Sequence, residues 1–317
     1  MTIKLLKKEN SLSWIPASQI ERDFVRFKNS EDSPGLYQII PPKVLKKILI
    51  SVIIPTKDAD RNGCFERLIK QLSDQTEKRF EIITVKGDSR QGRSINIGAS
   101  LAKGKYLLTL DDDTSLPDKY SFEKLVRVMD EHEEIGIAGG SAIIPEDANN
   151  FVKKAMKEIP RRAWDPVERI TDSDLVQHPC LIMRVEEFKI IGGENEFIPR
   201  GLDPYLREEI RKLNKRVVLV PDVNYYHLLP TTLKSLISQF YRNGRQAAYV
   251  NIFYPQWVIE TPARHGEFKN RVPLALRIIR FPIRMIKAVF SGKTILLLCQ
   301  FSYAIGFMIV WLLKREK

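Results

Sequence analysis

Cysteine is scarce in this chain of 317 residues: Cys64, Cys180 and Cys299 are widely separated, and no pair has the spacing of a metal finger. This excludes a small disulfide-stapled scaffold and predicts reduced thiols in a cytosolic body. The first ten residues, Met1 to Asn10, lack an apolar core and are rich in lysine, so no secretory signal is expected. Sixteen glycines and 18 prolines are too few for a collagen, and 44% hydrophobic content is too high for a disordered tail. A basic face on the body is missing as well. The formal charge is +12, yet nine of those net charges fall between Lys269 and Lys317, leaving the rest close to neutral. A near-neutral body argues against nucleic acid as a partner. The basic tail suits an anionic partner such as a membrane surface.

The length allows one large domain or two ordinary ones. Residues 1–47 carry Pro16, Pro34, Pro41 and Pro42 and predict an arm with little regular structure. Ile48 to Thr56 is a continuous β-branched run closed by proline, the mark of a strand buried on both faces. Helical spacing follows over Cys64–Gln75, a second buried strand over Phe80–Val85, and a small-residue helix over Arg93–Ala102. A third strand, Lys105–Leu110, ends in three aspartates, and Phe122–Met129 and Ile135–Ile144 continue as helix and strand. Such alternation predicts an α/β fold: a Rossmann-like, doubly wound, mostly parallel sheet with ligands at the carboxyl ends of its strands. Residues 145–175 are polar and predict a mobile loop. A short strand at Cys180–Met183, a helix over Asp203–Leu213, a strand over Val217–Val220 and an amphipathic helix over Leu233–Ala248 complete the body.

The tail differs in kind. Arg277, Arg280, Arg284 and Lys287 repeat at three and four residues and form one basic stripe on an otherwise apolar helix, as expected at a lipid interface, with Pro282 predicted to kink it. Thr294 to Leu313 then gives 20 uncharged residues, about 30 Å as a helix and enough to cross a bilayer. Lys293, Lys314 and Arg315 bound it, and the denser positive charge on its N-terminal side predicts a single-pass anchor in the cell membrane with the body facing the cytoplasm. The organisation expected is an arm (1–47), a core domain (48–250), a linker with an interfacial amphipathic helix (251–292) and a transmembrane anchor (293–317).

The strongest local chemistry is Asp111-Asp112-Asp113 at the end of a buried strand. Three carboxylates there repel one another and lose hydration, and a hard divalent cation, Mg²⁺ or Mn²⁺, shared with substrate phosphates would relieve both costs.

From Ile48 to His227 the chain resembles family 2 glycosyltransferases with the GT-A fold. The resemblance is carried by SVIIPTKD (51–58), RFEIITVKGDS (79–89) and GRSINIGASLAKGKYLLTLDDDT (92–114), where Asn96, Gly98, Ala102 and Gly104 match in order. It is also carried by IGGENEFIPRGLDPYLREEIRKLNKRVVLVPDVNYYH (191–227), where Gly192, Gly193, Asp203, Pro221 and His227 fall in register. The resemblance implies a nucleotide-sugar donor framed by Pro55, Thr56, Asp58, Asp88 and Asn96, with Arg93 meeting the diphosphate. Asp111, Asp112 and Asp113 would serve the donor and the metal: Asp113 ligates the cation and Asp111 sits near ribose or metal. His227 would contact metal or diphosphate. Asp203 would be the general base that takes the acceptor hydroxyl proton; read alone, Asp203 before Pro204 is also a helix N-cap.

There are departures from the family pattern. Lys86-Gly87 stand where the family often has two aspartates, which leaves base recognition to Asp88. Leu202 replaces the usual glutamate before Asp203. Glu209 stands where many members carry arginine, with Arg207 able to compensate. Gln239-Phe240-Tyr241-Arg242 echoes the Gln-x-x-Arg-Trp motif of processive synthases, with Asn243 in place of Trp, so Arg242 or Arg245 could touch phosphate. The expected activity is inverting transfer of a sugar from a nucleoside-diphosphate sugar to a lipid-linked glycan or glycolipid acceptor, at a membrane whose lipids are a further partner. The alternatives are a sugar-phosphate nucleotidyltransferase and a catalytically silent membrane scaffold of the same fold.

Overall fold

The computed structural model describes residues 2–6, 35–40, 47–88, 90–199, 201–227, 229–258, 265 and 273–313, the first two stretches by backbone alone. Most of the N-terminal arm, part of the linker with Lys269 and Arg271, and the closing Lys314, Arg315 and Lys317 lie outside the described residues. The arm nevertheless contains regular structure. β1 (Thr2–Leu6) pairs antiparallel with β2 (Gly35–Ile40), which pairs antiparallel with β4 (Phe80–Lys86) and extends the sheet.

The centre of the sheet follows the alternation of the sequence. β3 (Ile50–Thr56) leads to α1 (Cys64–Asp74), β4 to α2 (Gln91–Ser100), and β5 (Tyr106–Thr109) through the two-residue β6 (Thr114–Ser115) to α3 (Ser121–Glu131) and β7 (Ile135–Ala142). The spatial order is β1-β2-β4-β3-β5-β9-β7-β10-β6. β3 runs parallel to β4 and β5, and β7 runs parallel to β10 (Arg216–His227). β9 (Leu181–Arg184) lies reversed between β5 and β7, so β3, β4, β5, β7 and β10 share one direction. The all-apolar reading of β3 has a simple cause. Ile50, Val52 and Ile54 pack with Leu68 and Leu72 of α1 and Phe122 of α3, while Ile53 joins Ile83, Ile95 and Ala99 on the other face. Each such fully buried aliphatic side chain contributes about 1.5–3 kcal/mol.

Three elements differ from the sequence expectation. The 145–175 stretch contains α4 (Asn150–Glu158), whose N-cap Asn149 accepts a bond from the Val152 amide at 2.8 Å, and the two-residue β8 (Thr171–Asp172) beside β10. Trp164 is tied down by its own amide, which donates to the Ala142 carbonyl at 3.0 Å. β10 runs unbroken to His227, past Pro221 and past Asp222 at φ 55°, by slipping register between Leu219 and Asn224. After α5 (Val185–Ile190) and α6 (Leu202–Lys212), the last helices are α7 (Leu233–Phe253), α8 (Leu274–Phe290, continuous through Pro282) and α9 (Thr294–Leu313). α9 is long and apolar enough to cross a membrane.

Candidate active site

The aligned strands end at one edge. There β5 runs out into Leu110, whose amide donates to the Ile53 carbonyl at 3.1 Å, and a turn in which the Thr114 amide donates to the Asp111 carbonyl at 3.0 Å. β6 then pairs antiparallel with the end of β10, Thr114 opposite His227 and Ser115 opposite Tyr226. Two strands far apart in the sequence thus hold Asp113 beside His227. His227 Nε2 lies 3.1 Å from Asp113 and 3.7 Å from Asp111. One ligand atom from each of Asp111, Asp113 and His227 falls within 4.8 Å of the others. Two carboxylates and an imidazole converging in this way fit Mn²⁺ or Mg²⁺ by donor chemistry.

The charges around the triad are unbalanced. Burial pushes the Asp111 carboxyl up to about 6, with Asp113 and Asp203 adding to the rise and His227 opposing it. Asp113 goes the other way: burial disfavours its charge, but the His227 contact and the Arg61 guanidinium hold it well below the usual carboxylate range. Burial lowers His227, yet the two aspartates raise it overall. Asp112 accepts the Thr56 hydroxyl at 2.6 Å, and Gln91 Nε2 donates to Asp111 at 2.9 Å. Arg61, half-exposed, reaches Asp113 at 2.8 Å. The Arg162 charge also reaches His227.

Asp203 stands in the first turn of α6 but is not its cap. That position belongs to Gly201 at φ 89°. Asp203 accepts the His178 amide at 2.8 Å and pairs with His178 Nδ1 at 2.6 Å, while His178 Nε2 lies 2.7 Å from Glu194. Burial works against charge on His178, but Glu194 and Asp203 hold its pKa well above the ordinary value. Both of its ring nitrogens lie within hydrogen-bond distance of a carboxylate. The His178 charge outweighs burial at Asp203, whose pKa falls below the usual carboxylate range. His178 and Glu194 are sealed at 3% and 0% exposure, whereas Asp203 keeps 30% of its side chain open.

The two groups lie close enough for their charges to interact. Thr109, just before the acidic triplet, donates its hydroxyl to the His178 carbonyl at 2.9 Å, pinning the turn that carries His178 to the end of β5. The charges of His178 and Asp203 act on Asp111.

The other expected site residues are placed unevenly. Pro55 and Thr56 close β3 at the carboxyl edge of the sheet, and Asp58 caps its turn by accepting the amides of Asp60 and Arg61. Asn96 is fully buried: it donates to the Glu194 carbonyl and the Glu196 carboxylate and accepts the Glu194 amide, tying α2 to the 194–196 loop. Asp88 is drawn into an internal cluster, 3.7 Å from Arg90 and 3.4 Å from Arg93. Arg207 is buried, donates to the Val176 carbonyl at 2.5 Å and lies 3.5 Å from Asp174, a placement that turns it inward rather than toward an acceptor. Arg242 and Arg245 are exposed on α7, with Arg245 over the Tyr241 ring. Sequence reasoning missed His178, Glu194, Arg61 and Gln91. Their one signal is the ability to neutralise or orient a carboxylate, which shows only once the chain is folded.

Residues 86–186 match the model described as Glycosyl transferase family 2. No curated protein sequence matches the chain. Among solved structures it resembles the mannosyltransferase PcManGT from Pyrobaculum calidifontis, in complex with GDP-Man and Mn²⁺, at 13% identity and a TM-score of 0.51, over 93% of this chain and 95% of that one. It also matches S. aureus TarS 1-349 in complex with UDP-GlcNAc at 15% identity and a TM-score of 0.44, over 65% and 67% of the two chains. The likeness to PcManGT is one of fold: the GT-A-type α/β sheet that the family motifs implied.

Proposed function

We propose that the chain is an inverting, divalent-cation-dependent glycosyltransferase that moves a sugar from a nucleoside-diphosphate sugar to an acceptor hydroxyl. The observation that supports this reading is the cluster of Asp111, Asp113 and His227, with the half-open Asp203 near enough to act on the charge of Asp111. Asp111, Asp113 and His227 would hold Mn²⁺ or Mg²⁺, which when bound neutralises the leaving diphosphate. Thr56 orients Asp112, and Gln91 orients Asp111, on the donor side. Asp203 is the general base: it takes the acceptor proton as the hydroxyl oxygen bonds to the anomeric carbon and the bond to diphosphate breaks, which inverts that carbon. His178 fixes one oxygen of Asp203 and keeps the carboxylate ionised.

The catalytic domain spans 48–250, preceded by the arm 1–47 and followed by the linker 251–292 and the anchor 293–317. The exposed apolar helices that close the chain support attachment to the cytoplasmic face of the cell membrane and a lipid-linked glycan or glycolipid as acceptor. Incubation with nucleotide sugars and Mn²⁺ tests the reading. Release of nucleoside diphosphate, lost in Asp113→Ala, is expected. Release of pyrophosphate from a nucleoside triphosphate and a sugar phosphate would instead indicate nucleotidyl transfer, and no release in either assay would leave a silent scaffold.

A further inference from the structure

A helix that crosses a bilayer needs about 20 predominantly apolar residues and neighbours that suit the bilayer interior. One face of α9 is packed on the folded body. Ser302 Oγ donates to the Ile237 carbonyl of α7 at 2.8 Å. A Cβ on Gly306 would stand 2.2 Å from the Tyr241 carbonyl oxygen, and one on Gly244 would stand 2.0 Å from that of Tyr303, so only glycine allows this approach. The partners advance together, Ile237 to Tyr241 on α7 and Ser302 to Gly306 on α9, so the two helices run side by side in the same direction. Nearer its start, α9 buries Ile295 and Cys299 in one cluster with Leu236 and Phe240 of α7 and Val152 and Met156 of α4. The folded body therefore accompanies α9 along most of its length.

The body carries water with it. Lys234, Ser238, Arg242 and Arg245 are exposed along α7, the two arginines beside the Gly244–Gly306 crossing. Drawing α9 through a bilayer in this packing would pull those cations toward the membrane interior, where charged side chains are strongly disfavoured.

The outward face of α9 is nonetheless apolar from end to end: Leu298, Phe301, Ile305, Met308 and Leu312 are exposed. α8 buries only Met285 and Ala288 and presents two parallel stripes. Leu276, Ile279, Ile283, Ile286 and Phe290 form an exposed apolar one. Arg277, Arg280, Arg284 and Lys287 form a basic one, displaced by a single residue, and neither helix contains an acid.

We propose that α8 and α9 lie in the plane of one leaflet of an anionic bilayer, with the apolar stripes among the upper acyl chains and the α8 basic stripe at the phosphate headgroups. α9 does not cross. Charge complementarity selects the occupant: apolar faces edged by cations alone fit anionic lipid. This rests on the membrane attachment proposed above and specifies its geometry.

Depth measurement on the full chain tests it. Cys180 and Cys299 are sealed, so Cys64→Ser with one added cysteine, at Phe301, Ile305, Met308 or Leu312 in turn, gives four singly labelled proteins. These are added to vesicles of phosphatidylcholine and phosphatidylglycerol carrying brominated lipids of defined depth. Shallow bromines should quench all four fluorophores most strongly, at one common depth roughly 5–10 Å below the headgroups. Depths that step through the bilayer centre from one label to the next would overturn the in-plane seat and leave attachment standing. Failure to sediment with vesicles, alone or with the stripes hidden in a dimer, would overturn attachment itself. The exposed triple substitution Arg280→Ala/Arg284→Ala/Lys287→Ala should weaken binding to these vesicles roughly a hundredfold. Unchanged affinity would remove the anionic headgroups from the proposal.

Discussion

The candidate site holds two carboxylate groups with opposite electrostatic economies. Around Asp203 the protein supplies its own counter-charge: His178 sits between Asp203 and Glu194, within hydrogen-bond distance of both. Around Asp111 and Asp113 it does so unevenly: His227 and Arg61 hold Asp113 below the usual carboxylate range, whereas Asp111 stays above it. There, three acids meet a half-exposed Arg61 and an imidazole, and Asp111 is pushed up to about 6. A carboxylate already neutralised from within is suited to a lasting role as an oriented base. One left short of positive charge is suited to receiving a cation with its substrate.

The sharpest way to break that contrast is Asp113→Ala, expected to reduce Mn²⁺-dependent release of nucleoside diphosphate roughly a thousandfold or more, because it removes one of the three groups proposed to hold the cation. Asp203→Asn should lower kcat by about 10²–10⁴ while nucleotide binding, followed by calorimetry, stays near that of the parent. Equal loss of nucleotide affinity would show that the two sides are not separable. His178→Ala should destabilise the fold by about 3–5 kcal/mol in denaturant unfolding, since it leaves the buried Glu194 and the partly open Asp203 without their common partner.

The bridge should also leave a mark on stability against pH. His178 has a raised pKa, so its contribution is full below about pH 6.5, the unfolded value, and is lost as pH climbs through the folded one. Asp203 has a lowered pKa, so its contribution is full above about pH 3.9 and is lost as pH falls toward the folded value. The stability difference between parent and His178→Gln should therefore be greatest between about pH 4 and 6.5 and shrink on either side. Arg61→Gln should have the smallest effect. As Arg61 occupies the deficient side while half in solvent, its loss should change Mn²⁺ affinity by less than about tenfold.

What could be read from the chain follows the same division. The acidic triplet lies on contiguous residues at the end of an apolar run, so its meaning is local, and the sheet was legible because β3 and β4 are apolar on both faces. His178, Glu194 and Asp203 are isolated in the sequence and meet only through the turn that Thr109 pins, so sequence alone gave Asp203 a role without its partner. Asn96 carried a family motif position, yet its amide spans to the 194–196 loop, a bond of long sequence separation that no local pattern encodes. α4 escaped because its charged residues masked the spacing of Val152, Ala155 and Met156. Pro221 and the left-handed Asp222 hid the far half of β10, because a register slip is a property of the pair of strands and not of one. Arg242 and Arg245 were expected at phosphate; their placement on the wet flank of α7 depends on where α9 lies.

The two-residue pairing of β6 with the end of β10 has a practical implication. Thr114 and His227 are opposed by main-chain bonds, so the separation between positions 113 and 227 is set by the backbone and not by the side chains placed there. Such a platform can be refitted: the donor atoms at these positions can be exchanged while the frame beneath them stays the same.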